Sequence, residues 1–496
     1  MRKLFGLLER WEFPIIAMLV VVFMRLPSLS EPGWYGDEGI YLVLGKALRE
    51  GLVWYRDIHD NKPPMLYLLA AAAGSVFYFR LLLMVWMLVS VAVFDRLSRV
   101  MIKNIWAQRL SLLAFAFLTS WPAIEGNIAN AEIFMILPVM LGVLLLTKER
   151  ASTWQLFLAG ALWAIAFLFK VPSFFEVWGL GFFLFIGRKK KVKEMFKAVT
   201  DKRLWLVVSG FVFIVAVSSL YYLIMGAGRE YLIAAFLQNF GYLSSWRTGS
   251  ITKSGASTQS GLFARGLILL VVYSIFLWRS RKLDWRYRLT FSWFVFGLFG
   301  ALLSERPYPH YLIQVVAPGS LLLCLTAKKI ARWGWAGVAI GLLVIGVLRF
   351  KFYFYPTLRY YGNFISYVGG KMDERSYKNS FDYRAARTEE AAEYIKKITN
   401  EGERIFVWGD EPFIYVLSER LPVGKYTVAY HVIDFAAKES TLERLKQEKP
   451  RVVVLSESET RDFSELTGWV MAEYLPLKQF EDLTVYLRSS TLAGIL

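Results

Sequence analysis

The sequence predicts a polytopic α-helical membrane protein of about eleven spans, followed by an extracytoplasmic α/β domain. Three observations carry that prediction. The chain of 496 residues is 56% hydrophobic and 17% aromatic, with a mean hydropathy of +0.41, a composition foreign to soluble domains. Apolar runs of roughly 17–20 residues, the length that crosses about 30 Å of hydrocarbon, recur over the first 355 positions. Beyond them the composition becomes polar and mixed.

The apolar runs fall at 14–26, 77–94, 105–120, 132–146, 154–169, 174–186, 204–225, 262–278, 289–303, 311–325 and 333–349. They define a membrane domain over 1–355 and leave 356–496 for the second domain. The stretch 65–73 is too short to span and reads as an interfacial or re-entrant helix, and 38–49 reads as an amphipathic one. A net charge of +18 would suggest nucleic acid in a soluble protein. Here Lys and Arg concentrate in the connectors 96–103, 188–203, 279–288 and 328–332, all on one side if the spans are counted as above. That side is cytoplasmic by the positive-inside bias, and nucleic acid is excluded as a partner. The loops 121–131, 226–261 and 304–310, the segment around Asp37 and Lys62, and everything after 355 then share the outer side. Cys324, the one cysteine, lies inside an apolar run, so no disulfide forms within the chain. The N-terminal segment shows no pattern of a cleavable signal.

After the aromatic cluster 350–356, an interfacial belt in composition, helices are expected at 387–399, 412–417 and 441–447. Strands are expected at 404–408, 451–455 and 483–487. Alternating helices and short β-rich runs make an α/β domain of about 110 residues. It carries no glycine-rich phosphate loop, metal-ligand spacing or nucleophile elbow, and so reads as a lid or docking module.

Polar chemistry gathers in the outer loops. Trp34-Tyr35-Gly36-Asp37-Glu38-Gly39 places two acids at the start of a helix, where they suit proton handling but are equally favoured as caps. His59-Asp60-Asn61-Lys62-Pro63-Pro64 follows, with Arg56 close by. Its prolines hold Lys62 extended, and a compact ammonium suits a phosphate oxygen. The loop 121–132 brings Glu125, Asn127, Asn130 and Glu132 without a compensating cation. Glu132 opens a span, as a cap or as a functional acid. In Glu305-Arg306-Pro307-Tyr308-Pro309-His310-Tyr311, Arg306 suits bidentate phosphate binding, while His310 and Tyr311 offer hydrogen bonds. Two of the three histidines, His59 and His310, thus lie near the membrane on the outer side. Gln238, Asn239 and Arg247 are weaker candidates. Lys170, before Pro172, reads as a snorkelling lysine.

Taken together, Asp37-Glu38-Gly39, Lys62-Pro63-Pro64, Asn130-Ala131-Glu132 and Arg306…His310-Tyr311 resemble the GT-C superfamily of membrane glycosyltransferases. The branch in question includes the protein mannosyltransferases that use dolichyl-phosphate mannose and the bacterial aminoarabinose transferase. The likeness covers the membrane part, most clearly 34–140. It implies a polyprenyl- or dolichyl-phosphate-linked sugar donor, inverting transfer, and a site on the outer face beneath a soluble domain. By that likeness Asp37 matches the first-loop catalytic acid, Glu132 the second acidic position, and Lys62 the lysine near donor phosphate. Asn239 stands where the aminoarabinose transferase has a histidine, which puts a metal at that position in doubt. The α/β domain is not the β-trefoil of the eukaryotic enzymes, so a protein acceptor is not inherited from them.

The expected activity is sugar transfer to an acceptor hydroxyl on a lipid, glycan or protein. Asp37 serves as general base, with Glu38 and Glu132 as the accompanying acids. Lys62, Arg306, His310 and Arg56 bind donor phosphate, and His59, Tyr311, Asn239 and Asn130 bind substrate. No cofactor is required by default. Asp37, Glu38 and Glu132 could also supply oxygen ligands to a divalent cation, Mg, Mn or Zn. Two rivals remain: a lipid-linked sugar transporter or flippase, and a non-catalytic membrane subunit. A transporter would carry mid-bilayer ionisable groups and repeat symmetry, and a subunit would tolerate neutral replacement of its acids.

Overall fold

The computed structural model describes residues 2–148, 150–187, 199–238, 255–304, 306–326 and 330–492. Each apolar segment expected from sequence falls on a helix. The first four long ones are α1 (Arg2–Arg25), α4 (Val76–Met101), α5 (Ile105–Ser120) and α6 (Ala131–Leu146), with α2 (Gly36–Arg49) and α3 (Met65–Ala73) between α1 and α4. Next come α7 (Thr153–Phe169) and α8 (Ser173–Phe182), the latter prolonged by a wider turn over Phe183–Gly187. The later helices are Lys202–Ile224, Gly255–Arg279, Trp285–Ala301, Val316–Thr326 and Ile330–Phe350. Among the described residues, four helical stretches are long and apolar enough to cross a membrane: Trp11–Ser30, Val76–Met101, Lys202–Ile224 and Pro309–Thr326.

Helix α6 is buried on nearly every face, as expected of a helix apolar all round. Lys202–Ile224 lies at the periphery with few buried side chains. It crosses α7 where Gly160 meets the backbone of Val207 and Gly210 meets that of Phe157; a Cβ at either glycine would collide with a carbonyl. Small residues in register bring membrane helices this close.

The expected short helix 65–73 is α3, and it packs along α2. Their contact is tight at Gly45, where a Cβ would sit 2.6 Å from the Ala71 nitrogen. Helix α2 buries Tyr41, Leu44 and Ala47, and its acidic N-terminal end lies beside the loops that precede α3 and α6.

The C-terminal part holds a four-stranded sheet of order β1 (Phe406–Trp408), β2 (Val452–Ser456), β4 (Leu483–Arg488), β3 (Tyr474–Phe480). The β1–β2 pair is parallel; β2–β4 and β4–β3 are antiparallel. Alternate residues serve two cores. Val452 and Val454 join the apolar core shared with the helical part, while Val453 and Tyr486 pack in a second cluster with Phe463 and Leu466. The short helix Pro412–Ser418 ties the sheet to α2, its Phe413 ring filling the space a side chain at Gly33 would need. The strand expected at 483–487 is present as the inner strand β4. The sequence reading did not foresee the helix Thr357–Val368, which has no buried side chain, the short helices Glu374–Asn379, Ala429–Asp434 and Ser464–Glu473, or the edge strand β3.

Candidate active site

A cavity of about 560 Å³ lies where the N-terminal ends of α2 and α6 and the loops beside them meet the α/β part. Asp37 enters it from the first turn of α2, Lys62 from the loop before α3, and Glu132 from the first turn of α6. Lys170 follows α7, and Arg306, His310 and Tyr311 come from the segment leading into the helix at 316. Asp410, Tyr430, Asp434 and Arg461 of the C-terminal part complete the wall. Residues as far apart in sequence as Asp37 and Arg461 therefore face one space.

On one side the charges form a chain. The Lys62 ammonium lies 3.4 Å from Asp37 Oδ2 and 3.7 Å from Asp60 Oδ2, and sits over the Tyr41 ring at 4.9 Å. The Tyr41 hydroxyl donates to Asp37 Oδ2 at 2.9 Å and the Tyr67 hydroxyl to Asp60 Oδ2 at 2.7 Å. Burial alone would raise the Asp37 carboxyl, but Lys62 and the Tyr41 hydrogen bond outweigh it and hold the group below the usual carboxylate range. Asp60 behaves alike: burial opposes ionisation and Lys62 overrides it. Lys62-Pro63-Pro64 explains the geometry. The Lys62 carbonyl accepts from the Tyr55 hydroxyl at 2.9 Å, and the Lys62 N–H donates to the Tyr67 oxygen at 3.0 Å, so the backbone beneath the ammonium is pinned at both ends.

The other side is built around α6. Glu132 pairs with Lys170, whose ammonium lies 3.8 Å from the Tyr311 ring centroid. His310 Nε2 approaches Glu132 Oε1 at 3.5 Å, and its Nδ1 contacts Glu125 Oε2. The Tyr35 hydroxyl donates to the same Glu125 oxygen at 3.0 Å and accepts from Asn130 Nδ2 at 3.4 Å. Glu125 reaches inward because its backbone is left-handed, φ 57°, at the end of the turn Pro122–Ile124. Acids and bases thus alternate through fixed partners, an arrangement that holds each side chain in place before any substrate arrives.

Asp37, Lys62, Glu132, Arg306, His310 and Tyr311 are brought together as expected, and Asn130 stands just behind Tyr35. Other expected residues are elsewhere. Glu38 does not face the cavity: one turn position away from Asp37, it points into the protein, where Arg80 Nη2 meets its Oε2 at 2.7 Å and the Ala129 N–H donates to its Oε1 at 2.9 Å. Arg56 is directed outward, paired with Asp57 and donating to the Met225 carbonyl at 2.9 Å. His59 is packed against Phe435, Tyr426 and His431 under the C-terminal part, away from the cavity. Asn239 lies outside the described residues. With Glu38 turned away, the three acids considered as an oxygen-ligand set are not gathered, and among the described residues no cluster of three His, Cys, Asp or Glu side chains suits a metal ion.

Lys170 and Glu125 were undervalued from sequence, and the four C-terminal wall residues were not foreseen. The motif Lys170-Val171-Pro172, a lysine held by a following proline like Lys62, was the one local signal available.

No protein-family model matches the sequence, and no curated protein matches it. Solved structures do. The crystal structure of ArnT from Cupriavidus metallidurans bound to undecaprenyl phosphate is similar over 97% of this chain and 98% of that one, with a TM-score of 0.55 at 12% identity. The same protein in the apo state gives 0.50 at 12% identity, over 99% of each chain. Over nearly its whole length, then, the chain has the fold seen in these two ArnT structures.

Proposed function

We propose that this protein is an inverting glycosyltransferase that moves a sugar from a polyprenyl-phosphate donor to an acceptor hydroxyl at the outer face of the membrane. The observation that carries this reading is the meeting of an ionised, tyrosine-bonded carboxylate, Asp37, with the cationic side chains Lys62, Lys170 and Arg306 in one cavity. The bound undecaprenyl phosphate of the similar ArnT structure supports a lipid phosphate as the donor's carrier.

In this reading the chain crosses the bilayer eleven times, with its basic connectors in the cytoplasm and its cavity and α/β domain outside. Helix Thr357–Val368, with Leu358, Ile365 and Val368 exposed, lies in the headgroup layer. Asp37 removes the proton of the acceptor hydroxyl as it attacks the anomeric carbon. The bond to the phosphate oxygen breaks on the opposite side, and the departing polyprenyl phosphate is received by Lys62, Lys170 and Arg306. Phosphate leaves without protonation, so no acid is assigned to it. An Asp37 held below the usual carboxylate range by Lys62 is a weaker base. A donor phosphate that draws Lys62 toward itself relaxes that hold and raises the basicity of Asp37 when substrate is present. Glu132 keeps Lys170 in position and Tyr311 beneath it. With side-chain cations at the phosphate, our reading requires no cofactor, and transfer should continue in EDTA.

The test is the purified full-length protein in liposomes with a labelled polyprenyl-phosphate sugar and a panel of hydroxyl acceptors. Release of label from the lipid by the wild type, lost in Asp37→Asn, is the expected result. Label that changes leaflet without leaving its lipid would instead establish transport, and no handling of the lipid at all would leave a non-catalytic subunit.

A further inference from the structure

A second cavity, of about 170 Å³, opens beside the first. Trp34 walls it, and the next residue, Tyr35, lines the reaction cavity; their rings meet edge-on at 5.5 Å. The opposite wall is one face of the helix Thr357–Val368. Pro356, Arg359, Tyr360 and Asn363 follow one another at the i, i+3, i+4, i+7 spacing that puts residues on a common side. Phe381 and Tyr355 close the ends, with ring centroids 6.0 and 5.9 Å from Trp34.

The wall is fastened from behind. Buried Glu31 accepts from Trp34 Nε1 at 3.0 Å, from Asn127 Nδ2 at 2.9 Å and from the Tyr360 hydroxyl at 2.5 Å. Three lining side chains, from three separate segments, are therefore held by one carboxylate that does not itself line the cavity. What remains presented inward is aromatic surface, edged by Asn363, Ser380 and Arg359. Flat apolar rings with a few convergent polar groups are the design of a ligand pocket. A ligand that offers an apolar C–H face and a rim of hydroxyls matches it, and the volume, that of about six waters, suits a single sugar ring. Arg359, the one charged residue lining this cavity, adds a fork for a carboxylate or phosphate.

We infer that the Trp34–Arg359–Phe381 cavity is a saccharide-binding subsite for one pyranose unit carrying an anionic substituent. It rests on the glycosyl-transfer reading in one respect only: a sugar bound one residue from the reaction cavity, in addition to the sugar of the donor, belongs to the acceptor. The acceptor is then a glycan or glycolipid with an acidic sugar.

The probe is a glucuronic acid-containing disaccharide, compared with its neutral glucose counterpart, in saturation-transfer NMR with the full chain in nanodiscs. Both should bind the wild type, the acidic one more tightly. Arg359→Gln, at an exposed position that leaves the fold intact, should weaken the acidic probe by about tenfold and leave the neutral one unchanged, the loss expected for one charge-assisted pair. Phe381→Ala should weaken both. Absence of binding at millimolar probe, or binding indifferent to both substitutions, overturns the inference and makes the cavity a packing feature. Donor cleavage, measured in parallel, keeps the two readings apart. Cleavage with no Phe381-dependent saccharide binding sinks the subsite alone. Phe381-dependent binding in a chain inert toward every donor sinks the transfer reading and its acceptor label, while the subsite stands.

Discussion

Lys62 Nζ lies 3.4 Å from Asp37 Oδ2, and this contact is the largest influence favouring the ionised form of the carboxylate that faces the larger cavity. Burial pushes Asp37 toward its neutral form and Lys62 pulls it back. Removing the ammonium takes away the largest opposition to burial and leaves mainly the Tyr41 hydrogen bond, so the Asp37 pKa rises. In the wild type the acid limb of the rate profile should lie below the usual carboxylate range. In Lys62→Met it should move upward, on top of a loss of turnover. Asp37→Asn should cost about 10²–10⁴-fold, the range for a positioned proton acceptor, with donor binding retained. An acid limb that stays put in Lys62→Met would show that the lysine does not govern Asp37.

Neighbouring Glu38 serves the fold instead. It shares a buried, multiply bonded pair with Arg80, whose guanidinium also donates to the carbonyls of Ser28 at 3.1 Å and Glu31 at 2.8 Å. Neutralising one partner strands the other charge, and such losses run to about 3–5 kcal/mol. Glu38→Gln should therefore lower the thermal midpoint in detergent strongly, while the fraction that remains folded keeps most of its activity. The double variant Glu38→Gln/Arg80→Met should be less destabilised than the sum of the singles. A folded, fully stable but inactive Glu38→Gln would return this residue to the chemistry.

These two adjacent acids mark the limit of what the sequence disclosed. Hydropathy located the membrane helices because each run must satisfy its own backbone in lipid, and the short α3 stood out by length alone. Asp37, Lys62 and Arg306 were legible because each adjoins a glycine or proline in a connection between apolar runs, and Glu132 because it opens such a run. The separate fates of Asp37 and Glu38 were not, since they depend on Arg80, 42 positions away inside an apolar run. Lys170 looked like a lysine reaching for headgroups until Glu132 was found beside it. Strand β3 was hidden for another reason: it is an edge strand with Pro476, a register shift and exposed side chains from Leu475 to Gln479, so no alternation marks it. The wall residues Asp410, Tyr430 and Arg461 depend on how the sheet docks on α2, which no local pattern encodes.

The packing of His59 makes the docking of the C-terminal part sensitive to acid. Burial, reinforced by nearby His431, pushes the His59 imidazole from 6.5 down to about 3. Between those values the unfolded chain binds a proton that the folded chain refuses, so its contribution to stability is present above about pH 6.5 and is lost as pH falls toward 3. Thermal midpoints of the wild type should decline over that window, and those of His59→Phe should decline less. The ring meets Phe435 edge-on at 4.6 Å and the His59 backbone N–H donates to the Lys425 carbonyl at 2.8 Å, so the aromatic replacement preserves the junction. Parallel decline in both proteins would assign the acid sensitivity to other groups.

The Glu132–Lys170 pair can be a brace or a phosphate site held by a brace, and the two make opposite forecasts for single variants. If Lys170 acts on donor phosphate, Lys170→Met removes a preplaced cation and should lower turnover by roughly 10²-fold. Glu132→Gln leaves the ammonium above the Tyr311 ring and should cost far less. A pure brace predicts equal losses, with recovery when both residues are neutral, because the stranded charge disappears. Steady-state turnover of a labelled donor by the two single variants and the double variant distinguishes these cases. We expect the double variant to remain as impaired as Lys170→Met, since neutralising Glu132 does not restore a positive charge to the cavity.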